Sequence, residues 1–176
     1  MEKIEVGYAN YLKETFTVMN KSGLLLTSIS RQGRPNVMTI GWGTIGIIWA
    51  KAIFIVLVRP SRFTYGLIEE TGDFTVNVPP AEISGKVSFC GTVSGRDYDK
   101  FSEQKLTTIP AKKVRSPLIE ECLIHYECRV VHKNDVLPPE LAPDIPPTFY
   151  PQEDYHRVFY GEIMRVCAAR DIEKYE

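Results

Sequence analysis

The chain has 176 residues, 44% of them apolar and 24% charged, and its 21 Lys and Arg against 22 Asp and Glu give a formal charge of -1. That length supports a sizeable core without disulfides or metals and predicts one domain over 1–176. The apolar fraction excludes a disordered chain, and the interspersed, balanced charge excludes the basic footprint of a dedicated nucleic-acid binder.

The first 20 residues contain Tyr8, Tyr11, Leu12 and Phe16, spaced mostly by three or four. Thr15 and Thr17 weaken a helix there, so an edge element is expected. The charges mixed into MEKIEVGYANYLKE leave no apolar core for a signal peptide. Residues 24–30 read as a strand, Arg31 to Pro35 as a turn, and residues 36–42 as a second, antiparallel strand. This hairpin argues against a doubly wound fold. The apolar run 40–58 is broken by Gly41, Gly43, Gly46 and Lys51 into strand-sized pieces, too short to span a membrane. Its second half, 52–58, reads as a strand buried on both faces or closing a barrel. The expectation is a soluble cytoplasmic protein with neither membrane nor nucleic acid as partner.

The next turn carries the sharpest local chemistry. Ser61 is a good N-cap for a helix over 62–70 that ends near Gly72. The first amides of such a helix lack internal partners and sit at its positive end, so a phosphate can dock there with Ser61, Arg62 and Thr64 completing its shell. Many Ser-capped helices bind nothing; Arg59 on the strand side and the Met-Thr-Trp strand upstream favour a phosphorylated, planar ligand.

Residues 74–78 alternate, with Phe74, Val76 and Val78 toward a core and Thr75 and Asn77 on the other face. Pro79-Pro80 ends this strand. Residues 88–101 read as a glycine-punctuated polar loop leading to a short helix. No GxGxxG follows a strand, so a Rossmann dinucleotide site has no support. Residues 126–131 and 158–167 are two further strands. Between them, 136–153 is a Pro-rich insertion that cannot be a central strand and is either a lid or a surface excursion.

Several residues have plainer readings. The four cysteines, Cys90, Cys122, Cys128 and Cys167, show no zinc or disulfide spacing and read as reduced, buried thiols. Met38 and Trp42, taken in isolation, more commonly fill a barrel core, and Asp97 with Lys100 fits a surface pair. On one continuous strand, His125 and His132 would face opposite ways and share no metal. His156 reads as an ordinary hydrogen-bonded histidine. The Lys112-Lys113-Val114-Arg115 run reads as a solvated face.

Taken together and in order, NVMTIGWG (36–43), VRPSRFT (58–64), FTVNVP (74–79), FCGTVSGRDYDKF (89–101) and HRVFYGEI (156–163) resemble the flavin reductase-like family with an FMN-binding split barrel. The flavoredoxin and ferric reductase branch is the nearer in pattern. The resemblance covers roughly residues 24–164. It implies a mainly β fold, a Greek-key split β-barrel with a few short helices.

It also implies roles. Asn36, Met38, Thr39, Gly41 and Trp42 match the segment along the isoalloxazine ring of FMN. Arg59, Ser61, Arg62 and Thr64 match the phosphate-binding turn, in agreement with the reading of the helix start. Asn77, Cys90, Gly91, Ser94, Asp97 and Lys100 match segments reaching the ribityl chain, the ring or a neighbouring subunit. His156 matches the substrate side, as a catalytic residue, although the chain reads Asp154-Tyr155-His156 where the family has Gly-Asp-His. The activity implied is transfer of electrons from NADH or NADPH through bound flavin to free flavin, ferric iron or a redox protein. A flavoredoxin-type carrier reduced by a protein partner is the alternative, and a non-catalytic split-barrel binding module a distant third. No metal is implied. A homodimer with FMN near its interface is implied as well, with Phe149, Tyr150, Tyr155, Phe159 and Tyr160 as aromatic residues able to pack there.

Overall fold

The structure, a computed structural model, describes residues 2–172. In chain order the elements are β1 (Lys3–Glu5), α1 (Leu12–Lys21), β2 (Leu24–Ile29), β3 (Pro35–Ile40), β4 (Gly43–Ile48), β5 (Lys51–Val58), α2 (Phe63–Thr71) and β6 (Asp73–Val78). There follow α3 (Ser84–Thr92), α4 (Lys100–Gln104), β7 (Thr108–Ile109), β8 (Leu118–Ile119), β9 (Ile124–Asp135), α5 (Ile145–Phe149) and β10 (Arg157–Ala169). The fold is mainly β with a few short helices, as the sequence leads one to expect.

The main sheet runs β3-β2-β6-β9-β10-β5-β4, with β1 added to β10. Its pairings are all antiparallel. β3 and β4 stand at opposite ends of this path, yet only Gly41 and Trp42 lie between them. Six strand spacings of roughly 4.8 Å make a flat sheet about 29 Å wide, and a linker that short cannot cross it. The sheet must therefore curl, and the β3–β4 crossing closes the barrel. Leu24, Leu26, Phe54, Val56, Phe74, Val76, Tyr126 and Phe159 belong to the core inside it.

Several expectations need correction. Residues 12–21 form a helix, and Thr15 is no obstacle because its hydroxyl, fully buried, bonds the Tyr126 hydroxyl at 2.8 Å. β6 is buried on both faces. Behind it, residues 115–119 cover Thr75 and Asn77: the Thr75 hydroxyl donates to Pro117 O (2.7 Å), and the Asp73 carboxylate accepts from the Arg115 and Ser116 amides (both 3.0 Å). Residues 88–92, expected in a loop, belong to α3, whose Val87 and Cys90 pack with Leu25, Val37 and Phe101 in a second, smaller core. Lys100 is no surface residue, at 4% exposure. Tyr150 and Phe159 are buried within this chain, so neither is free to pack on a second copy. The four cysteines are free and buried.

β4 is a strand that the sequence reading left unassigned; its hairpin with β5 turns at Trp49 and Ala50, both at positive φ (53° and 56°). No helix among the described residues is long and apolar enough to cross a membrane.

Candidate functional site

Three adjoining depressions, of about 170, 110 and 540 Å³, meet at Arg62. The barrel positions them. β3 brings Asn36, Met38 and Thr39 to the mouth, and the closing dipeptide adds Gly41 and Trp42. β5 delivers Arg59 to the turn that starts α2, while the end of α3 and the loop after it contribute Cys90, Gly91 and Ser94. Met38, Thr39, Gly41, Trp42, Arg59 and His156 line the first depression. Asn36, Ser61, Thr64, Cys90, Gly91, Ser94 and Lys100 line the second. The third lies between the Arg59–Arg62 turn and the Pro-rich insertion, bounded by Phe149 and Asp154.

The turn itself differs from its sequence reading. Arg62, not Ser61, is the N-cap of α2, and it makes no side-chain cap. Ser61 is turned outward, and its hydroxyl donates to the Asp154 carboxylate at 2.5 Å. Arg59 donates to the carbonyls of Asp154 (2.9 Å) and Phe149 (2.8 Å), with its guanidinium 5.0 Å from the Tyr150 ring centre. Thr64 is buried, its hydroxyl accepting from the Asn36 amide at 2.7 Å. Arg96 donates to Ser61 O at 2.9 Å and lies 5.6 Å from the Phe63 ring centre. Arg59, Arg62, Arg96 and Lys100 thus face this space, with Asp154 the one carboxylate lining it among the described residues.

Burial sets the protonation of the inner groups. The Lys100 ammonium, donating to Cys90 O at 2.8 Å, is pushed down to about 8 by burial, with Arg62 adding in the same direction against Cys90. Burial pushes the Cys90 thiol up to about 11, so it stays protonated near neutral pH. His156 is pushed down to about 4, by burial first and then by Arg59. It is therefore a neutral imidazole near pH 7, with Nδ1 2.8 Å from the Tyr150 hydroxyl and its ring 5.0 Å from Trp42.

Two residues from the sequence reading stand outside the cluster. Asn77 is buried behind β6, bonding Leu25 O (3.1 Å), the Ile119 amide (3.2 Å) and His125 Nδ1 (2.7 Å). Asp97 is exposed, its amide donating to Ser94 O in a turn at 3.2 Å. Conversely, the sequence reading passed over Arg96, although it lies inside the FCGTVSGRD segment. It named Tyr150 only as an interface aromatic and Asp154 only as part of the departure from Gly-Asp-His; neither carries a local signal for the site, because their partnership with the turn spans some ninety residues.

The donor set fits a phosphorylated, planar ligand. Guanidinium groups, a serine hydroxyl and the first amides of α2 suit a phosphate; Met38, Trp42 and bare backbone at Gly41, where an added Cβ would meet nothing within 4 Å, suit a flat ring. A separate cleft of about 500 Å³ lies between α1 and the Pro79-Pro80 segment, but it is mostly apolar and holds none of these groups.

Residues 19–175 match the flavin reductase like domain family. An uncharacterized protein of Archaeoglobus fulgidus is 33% identical over 138 residues, which cover 78% of this chain and 68% of that protein. Flavoredoxin of Desulfovibrio vulgaris (Miyazaki F) superposes with a TM-score of 0.68 at 26% identity, over 84% of this chain and 69% of its own. Flavoredoxin from Methanosarcina acetivorans gives a TM-score of 0.68 at 24% identity, over 99% and 84%.

Proposed function

The chain belongs to the flavin reductase like domain family and has the fold of its FMN-binding members, and from that premise we propose that it is an FMN-dependent oxidoreductase. It would take electrons from NADH or NADPH and pass them to free flavin, ferric iron or a redox protein. One observation carries this reading: Arg59, Ser61, Arg62 and Thr64 converge at the start of α2, next to a wall built from Met38, Thr39, Gly41 and Trp42.

The redox chemistry is that of FMN when it is bound. The chain's own residues do the rest. Arg62 and the α2 amides would hold the phosphate, with Ser61, Arg59 and Arg96 close by. Residues 38–42 would line the ring, through soft side chains and backbone. Lys100, a buried cation reached through the second depression, places positive charge where an anionic ligand gains from it. The Cys90 thiol remains protonated and offers no thiolate nucleophile. His156, held neutral against Trp42 and Tyr150, adds no charge to the wall while keeping a ring nitrogen for hydrogen bonding. The insertion residues Phe149 and Tyr150 pack against Trp42, with 5.3 and 6.5 Å between ring centres, and so bound that end of the site.

An anaerobic visible spectrum before and after NADH tests the proposal. An oxidised flavin band that bleaches within seconds supports it. A second reading, a flavoredoxin-type carrier, is favoured by the insertion crowding the His156 side; it gives slow bleaching by nicotinamide and fast bleaching by a reduced partner protein. Absence of a band even with added FMN would leave only a non-catalytic binding module. We also propose a homodimer with FMN near its interface, on the strength of the family pattern; a monomer mass by light scattering of the flavin-loaded protein contradicts it.

A further inference from the structure

The phosphate-type turn is already engaged, and by the chain itself. Ser61 Oγ donates to Asp154 Oδ2 at 2.5 Å, and Arg59 spends two guanidinium nitrogens on the carbonyls of Asp154 and Phe149. Asp154 also lines the same open depression as Arg59, Ser61 and Arg62. A carboxylate and a phosphate oxygen ask for the same donors: both are anionic acceptors that prefer guanidinium and hydroxyl partners. Two such groups cannot share one hydroxyl donor, and they repel each other when adjacent.

We propose that Asp154 is a specificity-determining residue of this site, its carboxylate holding on Ser61 a position that a ligand's phosphomonoester must take over. This inference rests on the reading of the cluster as a flavin phosphate site. A phosphate brings up to two charges and three acceptor oxygens to Arg59, Ser61 and Arg62, so it can displace one carboxylate. A neutral flavin such as riboflavin has nothing to offer those donors and leaves the Ser61–Asp154 bond in place. The carboxylate therefore sets a threshold: it weakens binding of every phosphorylated ligand and leaves binding of the unphosphorylated ring untouched. The insertion is coupled to the same exchange, because Arg59 holds it through Phe149 and Asp154.

The test measures binding of FMN, riboflavin and inorganic phosphate to the full chain, stripped of any flavin, with Asp154→Asn and Asp154→Ala beside the wild type. Flavin fluorescence reads the first two, and tryptophan fluorescence reads phosphate. The expected result is FMN binding about tenfold tighter in both variants, the gain of one charge-assisted contact, with riboflavin within about twofold of wild type. Unchanged or weaker FMN binding overturns the proposal. So does equal tightening of riboflavin, since the substitution would then merely open the insertion. If neither flavin binds any of the three proteins, the flavin reading falls and phosphate decides: tighter phosphate in the variants upholds Asp154 as the competing anion, and unchanged phosphate overturns it.

Discussion

The Tyr150 hydroxyl stands 2.8 Å from His156 Nδ1, so the end of the insertion is tied to the residue just before β10. Both groups are buried, and the imidazole next to Arg59 is held neutral, with a pKa pushed down to about 4. In an NMR titration the His156 ring signals are expected to stay unprotonated down to about pH 5. Arg59→Gln removes a like charge and should raise the midpoint; a wild-type midpoint near 6.5 contradicts the burial argument.

The same burial gives stability a pH dependence. His125 and His156 are depressed to about 3 and about 4, by burial in each case, against about 6.5 for an unfolded histidine. As pH falls below about 6.5, the unfolded chain takes up protons that the folded chain refuses. Their stabilisation is thus full above that pH and is lost as pH falls through about 4 and about 3. Tm followed by circular dichroism should drop steadily from pH 6.5 to 4. His125→Gln should flatten the slope, and a level wild-type profile contradicts the argument.

Arg62 is the one residue common to all three depressions. Arg62→Ala should weaken FMN binding about 10- to 100-fold, the scale of a lost charged hydrogen bond. Unchanged affinity in a fluorescence titration removes it from the phosphate shell.

Gly95 tests the packing of the site wall. A Cβ there would lie 2.0 Å from Asn36 Oδ1 and 2.8 Å from Phe63 Cδ1. Gly95→Ala must push Asn36 off its bond to Thr64, so a loss of roughly 1–3 kcal/mol is expected in urea unfolding, together with weaker FMN binding. A variant as stable as wild type would show that the loop after α3 shifts freely.

Glu127 is the deepest charge in the sheet. Fully buried, it accepts from Arg165 at 2.9 Å and from the Lys112 and Lys113 amides at 2.9 and 2.6 Å. Glu127→Ala leaves Arg165 without that buried partner and should cost about 3–5 kcal/mol in denaturant unfolding, whereas Glu127→Gln, which keeps acceptors for the amides, should cost less.

How far the sequence carried depended on whether a signal was local. β2, β3, β5, β6, β9 and β10 were legible because their alternation or continuous apolar runs follow from pleat geometry. The α1 helix was obscured by Thr15, whose β-branched penalty is offset by a bond to Tyr126 far along the chain. Thr75 and Asn77 were placed on the face away from the core, and the second layer over that face was not legible because the residues that form it, 115–119, carry no pattern of their own. At the site, Arg59, Ser61, Arg62 and Thr64 were legible as neighbours on one turn, and the β3 residues through the resemblance of several segments together. Asp154 and Tyr150 were not, since nothing within a few residues of either points to Ser61 or Arg59. Asn77 illustrates the converse: its polar side chain is fully engaged with Leu25, Ile119 and His125 rather than with the cleft.

The two-residue step from β3 to β4 has a consequence for how the protein is made. β5 and β9 are joined only through β10, the last described strand. Until that strand is in place, β5 and β9 have no sheet pairing to connect them, and the ring of strands cannot close. A nascent chain stopped before β10 would leave the facing edges of β5 and β9 unpaired, and the barrel that carries Arg62 and Met38 would stand open along that one seam.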